Sequence, residues 1–145
     1  MNAVTNSLRP VLFALVALFA LASCGKKTED AVNPDAGAEI AGTYTVTQSR
    51  LTNGSTVNVP AGNSITITLS RVSETQVSLS LRIAQAGQTP QILTPGGNLD
   101  LKRSGRAIDL FAPDGSQVAT YNDGTLELDF EDGTGLDVTL IGKKQ

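Results

Sequence analysis

Residues 126–140 read LELDFEDGTGLDVTL, and the pattern of this stretch decides the fold. Leu126, Leu128 and Phe130 alternate with Glu127, Asp129 and Glu131, while Leu136, Val138 and Leu140 alternate with Asp137 and Thr139. A period of two sends successive side chains to opposite faces, so each half is a strand with one apolar and one wet face. Asp132-Gly133 lies between them and supplies the positive φ that a tight antiparallel hairpin needs. Toward the N terminus the same alternation returns in Ile108 and Leu110, with Val118 on the strand that follows, and in Leu99 and Leu101. It returns again in Val77, Leu79, Leu81 and Ile83, and in Ile65, Ile67 and Leu69. The first strand places Gly42, Tyr44 and Val46 on one face and Thr43, Thr45 and Thr47 on the other.

Most of the connections are short. Ser104-Gly105, Pro113-Asp114-Gly115 and Asn122-Asp123-Gly124 each carry turn residues, so sequential strands pair as a meander. Two connections are longer, residues 50–63 and 84–98. Some eight strands with one apolar face must cover that face and dispose of two edges, and closing into a barrel does both. The expected fold is therefore all-β, an antiparallel up-and-down barrel spanning residues 40–145. A two-sheet β-sandwich, whose interior the same alternation would line, is the alternative. No helix of useful length is expected after residue 23.

Residues 1–23 belong to another kind of segment. Arg9 is their single basic residue, and the run from Val11 to Ala22, VLFALVALFALA, is apolar throughout. As a helix this run rises only about 18 Å, against a hydrocarbon core of roughly 30 Å, so it reads as an export signal and not as a permanent span. Leu21-Ala22-Ser23-Cys24 follows, and it resembles the lipobox of bacterial lipoproteins at all four positions. The resemblance implies cleavage between Ser23 and Cys24, a diacylglycerol on the Cys24 thiol and an acyl chain such as palmitate on the new amino group. The membrane partner would then be reached through the acyl chains on Cys24. Gly25 is not the aspartate that retains such proteins at the inner membrane of enteric bacteria, so the outer membrane is favoured. Residues 24–39, beginning CGKKTEDAVNPDAG, have no apolar periodicity and read as the lipidated cysteine and a flexible tether with a reach of roughly 20 Å.

Composition excludes much chemistry. The chain has no histidine and one cysteine, which removes Ser-His-Asp and Cys-His nucleophiles, histidine or cysteine zinc sites and any internal disulfide. Loss of residues 1–23 removes one of the 11 basic residues and none of the 14 acidic ones, leaving a net charge of −4, so no nucleic-acid partner is expected. No enzyme activity, cofactor or metal is expected either. Parity puts Asp100, Asp109, Glu127, Asp129 and Asp137 on the outer face, away from the enclosure that a catalytic acid needs. The acidic run Asp129-Phe130-Glu131-Asp132-Gly133 lacks EF-hand spacing and reads as a hairpin tip. Lys102, Arg103 and Arg106 form a basic cluster around the Ser104-Gly105 turn. Thr43, Thr45 and Thr47, with Thr66 and Thr68, suggest an outward array of hydroxyls.

Gly42-Thr43-Tyr44 on the first strand, followed by a long loop and then hairpins to the end, resembles the Gly-x-Trp start of the calycin and lipocalin group. Tyr44 stands where that motif has tryptophan, and Lys143 and Lys144 stand where the family has an arginine after the last strand. The resemblance implies a lipocalin-like barrel open at one end, with residues 50–63 near its mouth and room for one small apolar molecule. Tyr44 is a candidate ligand contact on that basis. Ile92 and Leu93, two aliphatics inside the Gly- and Pro-rich connection 84–98, are candidates as a lid or docking point. The functional expectation is a membrane-anchored lipoprotein with a β-barrel binding module for a small apolar ligand. The alternative is a non-catalytic accessory lipoprotein that docks another envelope protein through its outer face or loops.

Overall fold

The computed structural model describes residues 35–131 and 137–145. The export signal, the lipobox with Ser23 and Cys24, residues 24–34 of the tether, the Asp132-Gly133 turn and Leu136 lie outside the described residues.

Eight strands form an antiparallel up-and-down barrel: β1 (Gly42–Leu51), β3 (Ser64–Ser73), β4 (Gln76–Ala84), β6 (Leu99–Ser104), β7 (Ala107–Phe111), β8 (Gln117–Asn122), β9 (Thr125–Glu131) and β10 (Asp137–Lys144). Each pairs with the next, and β10 pairs with β1 from Tyr44↔Lys144 to Leu51↔Val138, which closes the sheet. Closure sets the sandwich aside. Two short strands, β2 (Thr56–Asn58) and β5 (Gln91–Leu93), fold back from the long connections onto β1 and β4.

Alternation did its expected work. Tyr44, Ile67, Leu69, Leu79, Leu81, Leu99, Leu101, Ile108, Leu110, Leu126, Leu128 and Leu140 fill the interior, and the described residues bury no polar or charged one. Thr43 pairs with Thr68 and Thr45 with Thr66 on the opposite face, beside outward carboxylates and amides. This is the reverse of a membrane-spanning barrel, which carries its apolar band outside and its polar groups within.

Parity fails at three bulges, where one extra residue turns the strand. In β1 the bulge at Thr47 shifts the register between Val46 and Gln48, which brings Leu51 opposite Val138 and sends Arg50 outward. There Arg50 forks onto Glu127 of β9 at 3.1 and 3.2 Å, across the intervening β10. In β8 a bulge leaves Val118 packed on the core beside the inward pair Ala119 and Tyr121, so this strand contributes three residues where Val118 alone is expected. The third bulge, at Val72, ends β3.

Three hairpins, at residues 74–75, 105–106 and 123–124, lie at one end of the barrel, each with a two-residue connection. Asp123 and Gly124 both adopt positive φ, 47° and 78°, as a type I′ turn requires. The long connections and the β7–β8 turn lie at the other end. At the hairpin end the structure departs from the expected tether, because Ala36–Ile40 form a helix, α1. Asp35 caps it, its carboxylate accepting from the Ala38 amide at 2.8 Å. Five residues are too few to show helical periodicity, and Ala-Gly-Ala-Glu reads equally well as linker.

Candidate functional site

The two ends of the barrel differ in how they are filled, and this difference defines the site. Helix α1 plugs the hairpin end. Ile40 is wholly buried, and its carbonyl accepts the Tyr44 hydroxyl. Three basic side chains from three strands hold the plug: Arg71 of β3 bonds Asp35 at 2.7 Å, Arg103 of β6 bonds the Glu39 carboxylate, and Lys144 of β10 donates to the Glu39 carbonyl at 2.6 Å. Arg71 holds the Asp35 carboxyl below the usual range, helped by the Ala38 amide. The Tyr44 ring meets Tyr121 edge to face at 6.2 Å, and burial pushes the Tyr44 phenol above its ordinary range. The cavities described below lie at the other end.

The opposite end is not filled. Strand β4 pairs with β6 only at Gln76↔Asp100 and Val77↔Leu99; further up, it pairs with the short β5 instead. The seam therefore splays above Val77, and Leu79 and Leu81 look across it into a cavity of about 230 Å³. Leu99, Val118, Leu128 and Phe130 form the other walls, and Leu93 with the strap Pro95-Gly96-Gly97 covers it. The strap lies close to the β7–β8 turn: a Cβ on Gly97 would come 2.8 Å from Pro113 Cγ, and its φ of 90° also favours glycine. In that turn Ser116 bonds the Asp114 carboxylate through both hydroxyl and amide, and these bonds hold the Asp114 carboxyl low.

A second, more polar cavity of about 580 Å³ shares Val118, Asp129 and Phe130 with the first. Its described lining adds Arg50, Thr52, Ser116, Glu131 and Asp137 from the rim. The two spaces thus share three lining residues, one space mostly apolar and the other more polar. A third, of about 280 Å³, lies under β2 between Val57, Val59, Ile65 and Ile83.

The candidate ligand residues are not brought together. Leu93 lines the apolar cavity, Ile92 points away from it and is 66% exposed, and Tyr44 lies at the plugged end with its hydroxyl engaged by Ile40. The basic cluster is divided as well. Arg103 turns in to the plug, Lys102 sits 4.4 Å over the Phe111 ring, and Arg106 is exposed in its turn. Among the described residues no group of three or more acidic, histidine or cysteine side chains is placed to hold a metal ion. The residues that line the cavity, Leu79, Leu81, Leu99, Leu128 and Phe130, have the same alternation as residues that simply fill the core. The usable signal was the long connection 84–98, whose length implies that β4 and β6 part.

No protein-family model matches the chain, and no curated protein matches it either. Among solved structures it is similar to a redesigned β-barrel, at TM-score 0.50 and 14% identity, covering 78% of this chain and 97% of that one. It is also similar to a de novo designed fluorescence-activating β-barrel, at TM-score 0.43 and 16% identity, covering 77% of this chain and 98% of that one. These likenesses concern the fold alone.

Proposed function

We propose that this protein is a lipid-anchored binding module: a barrel held to a cell-envelope membrane through acyl chains on Cys24, which takes one small apolar molecule into its open end. The observation that carries the binding reading is the asymmetry of the interior. One end is closed by Ile40, Tyr44 and Tyr121, while the other keeps an apolar space of about 230 Å³ roofed by a Gly- and Pro-rich strap. Natural ligand pockets begin at about 300 Å³, so the occupant is small or pushes the strap outward. The anchoring reading rests on the lipobox and on Gly25, which favours the outer membrane. The role is non-catalytic.

Two experiments test the two halves. Calorimetric titration of the purified full-length chain with 1-octanol is expected to show saturable uptake of one molecule, abolished by Val118→Phe, which fills the shared wall of the cavities. A linear, unsaturable heat would remove the binding reading. For the anchor, Cys24→Ser is expected to release the protein from membranes in a carbonate wash, and a variant that still sediments with membranes would contradict lipidation.

A second reading has its own observation. Ile92 is exposed on β5, which among the described residues pairs with β4 alone, so an aliphatic side chain and a strand edge are presented together. That would suit an accessory role in docking another envelope protein.

A further inference from the structure

One wall of the apolar cavity is built differently from the others. Leu93 at the end of β5 pairs with Leu81, and Leu99 at the start of β6 pairs with Val77, so both flanks of the strap are fixed to the same strand, β4. Between those two pairs β4 has three residues, 78–80, while the chain facing it has five, 94–98. The surplus carries the strap off the ladder. Among the described residues Pro95, Gly96 and Gly97 form no hydrogen bond, yet all three line the cavity.

The segment that the strap meets is held in the opposite way. In the β7–β8 turn the Ala112 amide donates to the Ser116 carbonyl at 2.8 Å and the Gly115 amide to the Ala112 carbonyl at 2.9 Å. Ser116 then donates to the Asp114 carboxylate through amide and hydroxyl. The turn is fixed and the strap is not, and the two touch where Gly97 lies against Pro113 with no space for a Cβ.

Resting on the binding reading above, we infer that residues 94–98 are a gate: the ligand enters and leaves when Pro95-Gly96-Gly97 swings away from Pro113, while the barrel wall stays in place. Lifting the strap breaks packing contacts alone, whereas parting β4 from β3 or β9 from β10 at the same level breaks ladder hydrogen bonds. A loop opening of this kind falls in the microsecond to millisecond range of other lids. Gly97 is what allows the closed position, since it combines a φ of 90° with the close approach to Pro113. A side chain there strains the closed state and shifts the population toward the open one.

The test reads the exchange kinetics of 1-octanol from the leucine methyl signals of the full-length protein. Gly97→Ala, which strains the closed strap, and Pro113→Gly, which removes the side chain it rests on, are each expected to raise the association and dissociation rates together by about tenfold, with Kd changed less than about threefold. Gly105→Ala is the control. It introduces a side chain at a positive φ of 64° in open space at the plugged end, so any general loss of stability appears there too, and its exchange rates are expected to stay at the wild-type values. If both strap variants bind octanol with wild-type rates, or if only dissociation quickens and Kd weakens in proportion, the strap is a fixed wall and the gate inference fails while the cavity reading stands. If the wild type itself takes up no octanol, the cavity reading fails and the gate with it.

Discussion

Tyr44 shows how one side chain can be moved from an expected role to a different one by its surroundings. Its ring is fully buried and its hydroxyl has one partner, the Ile40 carbonyl at the end of α1, so it joins barrel to plug. Tyr44→Phe keeps the ring and leaves that carbonyl unpaired, which is expected to cost about 1–3 kcal/mol. A urea titration would show a lower midpoint with the slope unchanged. An unchanged midpoint would mean that the bond contributes nothing. The same residue gives a pH dependence. Burial first, then the nearby Tyr121 and Glu39, raise the phenol in the folded state, while the unfolded chain releases this proton near about pH 10. Above that point the folded state binds more protons than the unfolded one, so stability is complete below it and falls as pH rises. The fall is expected to be steeper in the wild type than in Tyr44→Phe, which thermal unfolding across pH 9–11.5 would check.

At the scale of elements, the plug and the seam were the parts least legible in the sequence. The strands were readable because each repeats its period several times, as in Ile65, Ile67 and Leu69 or in Val77, Leu79, Leu81 and Ile83. A five-residue helix repeats nothing, and its one signal was an Asp35 cap ahead of a glycine-containing run. Gly37 is nevertheless tightly constrained: a Cβ there would lie 2.1 Å from the Ser73 carbonyl oxygen, a backbone atom that no rotamer change can move away. Gly37→Ala is accordingly expected to cost about 1–3 kcal/mol, as overpacked sites do. Asp35→Ala, which removes the cap and the Arg71 partner, should cost about 0.5–2 kcal/mol. Chemical denaturation of both variants is the check, and neutral behaviour at both would show that α1 does not hold the end closed. Bulges were illegible for a related reason. One extra residue at Thr47 changes no composition, yet it decides that Arg50 reaches Glu127 outside while Leu51 faces in. The splayed seam between β4 and β6 could be inferred only from the length of residues 84–98, so the cavity behind it was not readable residue by residue.

Over the whole described molecule, the barrel is polar outside, apolar within, plugged where its chain enters and hollow where its long connections lie. The account of function depends on that last feature. With a single cysteine there is no internal disulfide to hold the hollow end together, so packing and strand pairing must keep it open at the cost of some stability. The most direct measurement is a methyl NMR titration of the leucine-labelled protein with 1-octanol. The account predicts saturable shifts at Leu79, Leu81, Leu93, Leu99 and Leu128, which line the cavity, and none at Leu69 or Leu126, which lie outside its walls. Shifts spread evenly over both sets, or no saturable shift at any of them, would contradict it.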